Sequence, residues 1–106
     1  GFMVVRIGDR NQTPMPVHEN IIDFAKCQGR TILDDLFLIN SAKVFLSSDS
    51  GIWPMAGGMK NNLVLSNVVG HHYTDWLPKE TSTVIFKENG IDNSFNQLVE
   101  AVNNYI

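Results

Sequence analysis

A single cysteine, Cys27, stands in the whole chain, so no intrachain disulfide and no cysteine-built zinc cluster can form. Positive charge is also scarce. Eight Lys and Arg face eleven Asp and Glu, for a formal net charge of -3, and the eight are scattered rather than clustered. That argues against nucleic acid or an anionic membrane surface as the partner. No apolar run approaches the length that spans a bilayer, and no basic stretch followed by an apolar one reads as a leader. Repeats and low-complexity tracts are missing as well. With 43% apolar and 18% charged residues, disorder is not expected. A single domain of ordinary size with a real core is what these absences leave. Its opening, Gly1-Phe2-Met3-Val4-Val5, reads as the inside of a strand, and so as a piece of a longer protein. A missing neighbour would leave edges or apolar faces open, and homo-oligomers through them are one expectation.

What is present is organised around Phe45 to Pro54, Phe-Leu-Ser-Ser-Asp-Ser-Gly-Ile-Trp-Pro. A short apolar strand from Ala42 to Leu46 runs into a polar turn and then a helix beginning near Gly51. Ser48, Asp49 and Ser50 are turn and N-cap residues, because their short side chains accept bonds from nearby amides. Gly51 lets a ligand approach the backbone closely. Pro54 is tolerated in a first helical turn, where amides have no intrahelical partner. Free amides at a helix start favour an anion such as phosphate. A capped turn with no ligand fits the same residues equally well.

The rest of the chain gives the pattern its context. Phe2 to Ile7 is an apolar, β-branched run broken only by Arg6, and Gly8-Asp9 ends it. Asp9 to Pro16 is a loop, Asn20 to Phe24 a second short strand. Thr31 with Asp34 forms a capping box that opens a helix with a stripe of Ile32, Leu33, Leu36, Phe37 and Ile39. Trp53 to Met59 is a short helix weakened by Gly57-Gly58, Leu63 to Leu65 a buried strand, and Thr83 to Phe86 the last strand. Ser94 with Gln97 is a second capping box, ahead of a face made of Phe95, Leu98, Val99, Val102 and Ile106. Val68 to Ser82 has no periodicity and is long for a plain connection, which suits a functional loop. The order β, β, α, β, α, β, β, α predicts an α/β layered fold with a mostly parallel sheet, centred on Val4, Ile7, Val44, Leu46, Leu63 and Leu65. Ligands of such sheets sit beyond the carboxyl ends of strands, where both Gly8-Asp9 and Ser48 to Gly51 fall.

Val4-Val5-Arg6-Ile7-Gly8-Asp9 taken with Phe45 to Gly51 resembles the carboxyl-terminal domain of bacterial glycosyltransferases of the GT-B type, specifically a group of surface-polysaccharide glycosyltransferases. In these a strand ending in Val-Arg-x-Gly-Asp leads, through an Ile-Asp-Tyr/Phe segment and a Leu-rich helix, to a Ser-Gly turn. Asn20-Ile21-Ile22-Asp23-Phe24 and Asp34-Asp35-Leu36-Phe37-Leu38 occupy the intermediate places. The likeness covers Gly1 to Val69. It implies that residues 1–106 form one three-layer, Rossmann-like domain, truncated, that binds a nucleotide diphosphate sugar as substrate, with no separate cofactor. The site it implies comprises Arg6, Gly8, Ser48, Asp49, Ser50 and Gly51. It also implies a missing amino-terminal domain of the same chain, polysaccharide biosynthesis in the cytoplasm, and a fragment that binds without turning over. The turn is similar too to the Ser-Asp-Ser-Gly segment of nucleotide-sugar 2-epimerases, but Ile52-Trp53-Pro54-Met55 stands where those have a second Gly and paired glutamates. A non-catalytic α/β interaction domain is the remaining alternative.

Several residues have competing readings. Arg6 is a cation for a diphosphate or the partner of Asp9 or Asp23. Asp49 caps a helix or binds a sugar hydroxyl. His71-His72 read as an exposed loop pair rather than a metal site, because no carboxylate stands at ligand spacing. Trp53 reads as core, although it and Trp76 are also of a kind to stack on a base. Lys79 and Lys87 read as solvated, and Cys27 as inert.

Overall fold

The computed structural model describes residues 2–48, 53–59, 61–70 and 74–106. The elements follow the expected order: β1 (Val4–Arg6), β2 (Ile21–Asp23), α1 (Ile32–Ser41), β3 (Phe45–Ser48), α2 (Trp53–Gly58), β4 (Leu63–Val68), β5 (Ser82–Phe86) and α3 (Phe95–Asn103), with one 3-10 turn at Phe24–Lys26. The chain divides into two compact units, Gly1–Asp35 and Leu36–Ile106. All strand pairing within the named strands is parallel: β1 with β2 in the first unit, and β3-β4-β5 in that order in the second. The fold is therefore mixed helix and strand with parallel sheets, one of two strands and one of three. No described helix is long and apolar enough to cross a membrane.

The second unit is built around β4. Leu63-Val64-Leu65 is apolar toward both faces, and β3 and β5 cover both of its edges, so all three side chains are fully buried. Burial on both faces is what a central parallel strand requires. Trp53 and Ala56 of α2, Ile39 of α1 and Ala101 of α3 complete the core. Asn61 ties the end of α1 to the entry of β4, its Nδ2 donating to the carbonyls of Ile39 and Asn40 at 2.7 and 2.8 Å.

Four of the six residues expected at the sheet centre are not there. Leu63 and Leu65 are buried, but Val4 and Leu46 are exposed and Ile7 and Val44 half-buried. β3 alternates, with Phe45 and Ser47 half-buried and Leu46 and Ser48 outward. A three-residue strand in a two-stranded sheet has one neighbour and little to cover it, so the β-branched run at Val4-Val5 stays open.

Both long helices turn only part of the expected apolar face inward: Leu36 and Ile39 of α1, and Leu98 and Val102 of α3. In α1 the buried positions are Asp35 and Ile39, while Ile32, Leu33 and Phe37 are exposed. Asp35 lies inward because its carboxylate is paired with Arg30. In α3 the inward line runs Leu98, Ala101 and Val102 and continues to Tyr105 just past the helix, with Phe95 exposed. The tyrosine hydroxyl and Thr83 Oγ1 share a hydrogen bond of 2.7 Å, which fastens the helix end to β5. The capping box is complete: the Gln97 amide donates to Ser94 Oγ and the Ser94 amide to Gln97 Oε1.

Candidate functional site

The expected site residues fall in both units, so each group is described where it lies. In the first unit Arg6 ends β1 and faces Asp23, which ends β2 in register with it. Its Nε donates to Asp23 Oδ1 at 2.9 Å and its Nη2 to Oδ2 at 2.8 Å, a two-pronged pair less than a fifth exposed on either side. Nη1 donates to the Thr13 carbonyl. Of the two carboxylates that could have partnered Arg6, Asp23 takes it. Asp9 instead caps its own turn by accepting the Asn11 amide at 2.8 Å.

The loop after β1 is shaped by cations donating into its carbonyls. Arg6 reaches Thr13, Lys26 reaches Arg10 and Gln12, and Arg30 reaches Gly8 while pairing with Asp35. Such charge-assisted bonds are stronger than neutral ones. Gly8 has φ 121°, which a side chain rarely adopts, and a Cβ there would meet the Gln12 amide. Its glycine is required by the turn itself. Asp23 also accepts the Met15 amide at 3.1 Å. Partial desolvation of its carboxyl pushes the pKa up. The bonds from Met15 and Arg6 and the charges of Arg6 and Lys26 outweigh that, holding it below its ordinary 3.8. A shallow cavity of about 350 Å³ opens beside this loop, lined by Arg10, Cys27, Gly29, Arg30, Thr31, Ile32 and Asp35.

In the second unit, Ser48 is not the first turn residue but the last residue of β3, paired with Ser66 of β4. Asp49, Ser50 and Gly51 lie outside the described residues. The carboxyl end of the sheet is polar. Ser66 is buried and donates through Oγ to the Ser47 carbonyl at 3.2 Å. Asn67 follows with φ 57°, at an irregularity in the β4–β5 register between Leu65 and Val68. Asn67 and Asn93 clasp each other: each side-chain oxygen accepts the other's backbone amide, at 2.6 and 2.7 Å. Asn93 Nδ2 then donates to the Phe86 carbonyl at 3.1 Å. Bulges of this kind re-aim strand ends and are frequent beside binding sites.

Trp53 opens α2 and is buried, stacked on the half-exposed Trp76 with ring centroids 5.9 Å apart. Leu77 and Thr74 are buried too, so the later part of the 69–81 connection belongs to the core. His71-His72 lie outside the described residues. Lys87 pairs with Asp92 at 3.0 Å. Among the described residues no group of three His, Cys, Asp or Glu is placed to hold a metal ion.

Sequence reading passed over the Asn67–Asn93 clasp and the cation-to-carbonyl loop. The lone Asn inside an apolar strand was the available signal for the first. The second, made by residues up to 22 positions apart, leaves no local signature. No family model matches the chain, and no curated protein or solved structure does either.

Proposed function

We propose that this chain is the donor-binding part of a GT-B-type glycosyltransferase, with a three-layer, Rossmann-like arrangement completed in the parent protein. It would hold a nucleotide diphosphate sugar whose sugar passes to an acceptor hydroxyl. The observation that supports this most is the end of β3. In a parallel sheet whose edge strand runs out at exposed Ser48, a Ser-Asp-Ser-Gly segment leads into α2 at Trp53, as the resembling enzymes would have it. Ligands of open parallel sheets gather at such carboxyl ends.

In this reading the amides of residues 49–51 and the Ser48 hydroxyl bind the diphosphate. As the sugar bond breaks, negative charge grows on the leaving phosphate, and hydrogen-bond donors to it lower its energy. The proposal rests on the second unit alone. Arg6 is committed to Asp23 and Thr13, and Gly8 to its turn, so both are assigned to shaping the loop of the first unit. The base that activates the acceptor belongs to the missing domain, and the chain alone binds without turnover.

Equilibrium binding of a nucleoside diphosphate to the wild type and to Gly51→Val tests the reading. Weak binding that Gly51→Val removes, while the circular dichroism stays native, is the expected outcome. Binding unaffected by Gly51→Val would overturn it and leave the non-catalytic interaction domain as the better account.

A further inference from the structure

We propose that Asn89-Gly90 is a spontaneous covalent modification site, at which Asn89 deamidates through a cyclic imide at a rate set by opening of the small hairpin that holds it. Asn89-Gly90 is the one Asn-Gly pair in the sequence. It forms the tip of a two-residue turn: Glu88 and Ile91 make an antiparallel bridge, and the Ile91 amide donates to the Glu88 carbonyl at 3.0 Å. Both tip residues have positive φ, 53° and 74°, the geometry of the type I′ hairpin that Asn-Gly favours.

Three features bear on the reactivity of this asparagine. It is exposed, and nothing lies within 4 Å of the place a Cβ on Gly90 would take, so the glycine that follows is open on that side. Its side chain makes no hydrogen bond among the described residues, unlike those of Asn61, Asn62, Asn67 and Asn93. Other exposed asparagines such as Asn96 and Asn104 share this freedom, but none of them is followed by glycine. The hairpin is also held lightly. Beyond the single bridge, its flanks share the Lys87–Asp92 ion pair, with the aspartate largely in solvent, and the Asn93 Nδ2 bond to the Phe86 carbonyl. Exposed pairs contribute little, and a segment with few buried contacts opens locally at small cost.

The chemistry needs only water. In the opened turn the deprotonated Gly90 nitrogen attacks Asn89 Cγ. The C–N bond to Nδ2 breaks and ammonia leaves, giving a five-membered imide. Water then adds to either carbonyl, and the ring opens to aspartate or to isoaspartate at position 89. Either product places a new carboxylate between Glu88 and Asp92. The isoaspartate also lengthens the main chain by one carbon, between Phe86 and Asn93, the two residues that anchor the clasp on Asn67. Ageing of this turn therefore reaches the polar carboxyl end of the sheet.

The test is incubation of the full chain at neutral pH and physiological temperature, followed by peptide mapping that separates aspartate from isoaspartate. Modification at position 89 ahead of every other asparagine is expected, with none at that position in Asn89→Gln. Asp92→Ala, which removes the ion pair, should raise the rate by up to about fivefold, the most an exposed pair contributes. Two results would overturn the proposal. One is an unmodified Asn89 over a period that converts a free peptide of the same sequence. The other is a rate in the folded chain equal to that of the free peptide, which would deny the hairpin any control.

Discussion

The two units are held together by different physics. In Leu36–Ile106 the centre is apolar: among the described residues nine of the ten buried hydrophobic ones, all but Ala25, lie there, and the three fully covered side chains of Leu63-Val64-Leu65 form its axis. In Gly1–Asp35 the two strands are three residues each, and the long loop between them is fixed by Arg6, Lys26 and Arg30 donating into carbonyls of residues 8, 10, 12 and 13. Burial is cooperative and indifferent to pH, whereas a loop held by charge answers to protonation and salt. One chain thus has an apolar unit that should resist titration and a polar unit that should not.

Cutting into the β4 core should have the largest effect. Leu65→Ala is expected to destabilise the protein by about 2–5 kcal/mol, the range for emptying a fully buried leucine site, read from the denaturant midpoint. A loss well below that range would deny β4 its central place. Next comes overpacking at Gly57 of α2, where a Cβ would run into Leu77 Cδ2 and come within 3.0 Å of the Trp76 ring. Gly57→Ala should cost about 1–3 kcal/mol and shift the fluorescence of the stacked tryptophans. Ser94→Ala, which removes half of the α3 capping box, should cost about 1 kcal/mol.

The smallest change in global stability is expected in the first unit, at Asp23→Asn. Its signature is local: faster hydrogen exchange at the Met15 amide, with the amides of β4 unchanged. The pH dependence follows from the same group. The Asp23 pKa is lower folded than unfolded, so its stabilisation is present above the ordinary aspartate value. It is lost as pH falls through 3.8 toward the depressed folded pKa. Acidification should therefore release the loop of residues 8–16 in the wild type and do little more in Asp23→Asn. Equal acid sensitivity at Met15 in both proteins would break the contrast between the units.

This contrast also marks what the residues revealed in advance. Element order, parallel pairing and the Ser94–Gln97 capping box follow from local patterns, apolar runs ended by polar turns and a serine three residues ahead of a glutamine. At Thr31 only half of the expected box forms, the Thr31 amide donating to Asp34 Oδ2 while the Asp34 amide goes to the Thr31 carbonyl. Which run becomes the centre does not follow from local patterns. Val4-Val5 and Leu63-Val64-Leu65 read alike, and only the strands that flank β4 make it the core. The helix faces were legible only in part, at Leu36, Ile39, Leu98 and Val102, for a similar reason. Apolar residues on α1 suggest an inward Leu33 and Phe37, but the Arg30–Asp35 pair turns a carboxylate inward instead. At the site, the turn residues Asp49 to Gly51 lie outside the described residues, and the sequence marked strands near Arg6 and Leu46. It placed Ser48 in the turn, where the structure keeps it in the strand opposite Ser66, and the partner of Arg6 was left between two aspartates until register decided it.

The most direct measurement of the functional reading is a titration of a nucleoside diphosphate into isotopically labelled protein, following backbone amide shifts in both units. The account predicts saturable shifts centred on Ser48 to Trp53 at about millimolar ligand, the weak-binding limit, with the amides of Gly8 to Met15 unmoved and Lys87→Ala without effect. Shifts centred on the loop of the first unit, or none between Ser48 and Trp53, would contradict it.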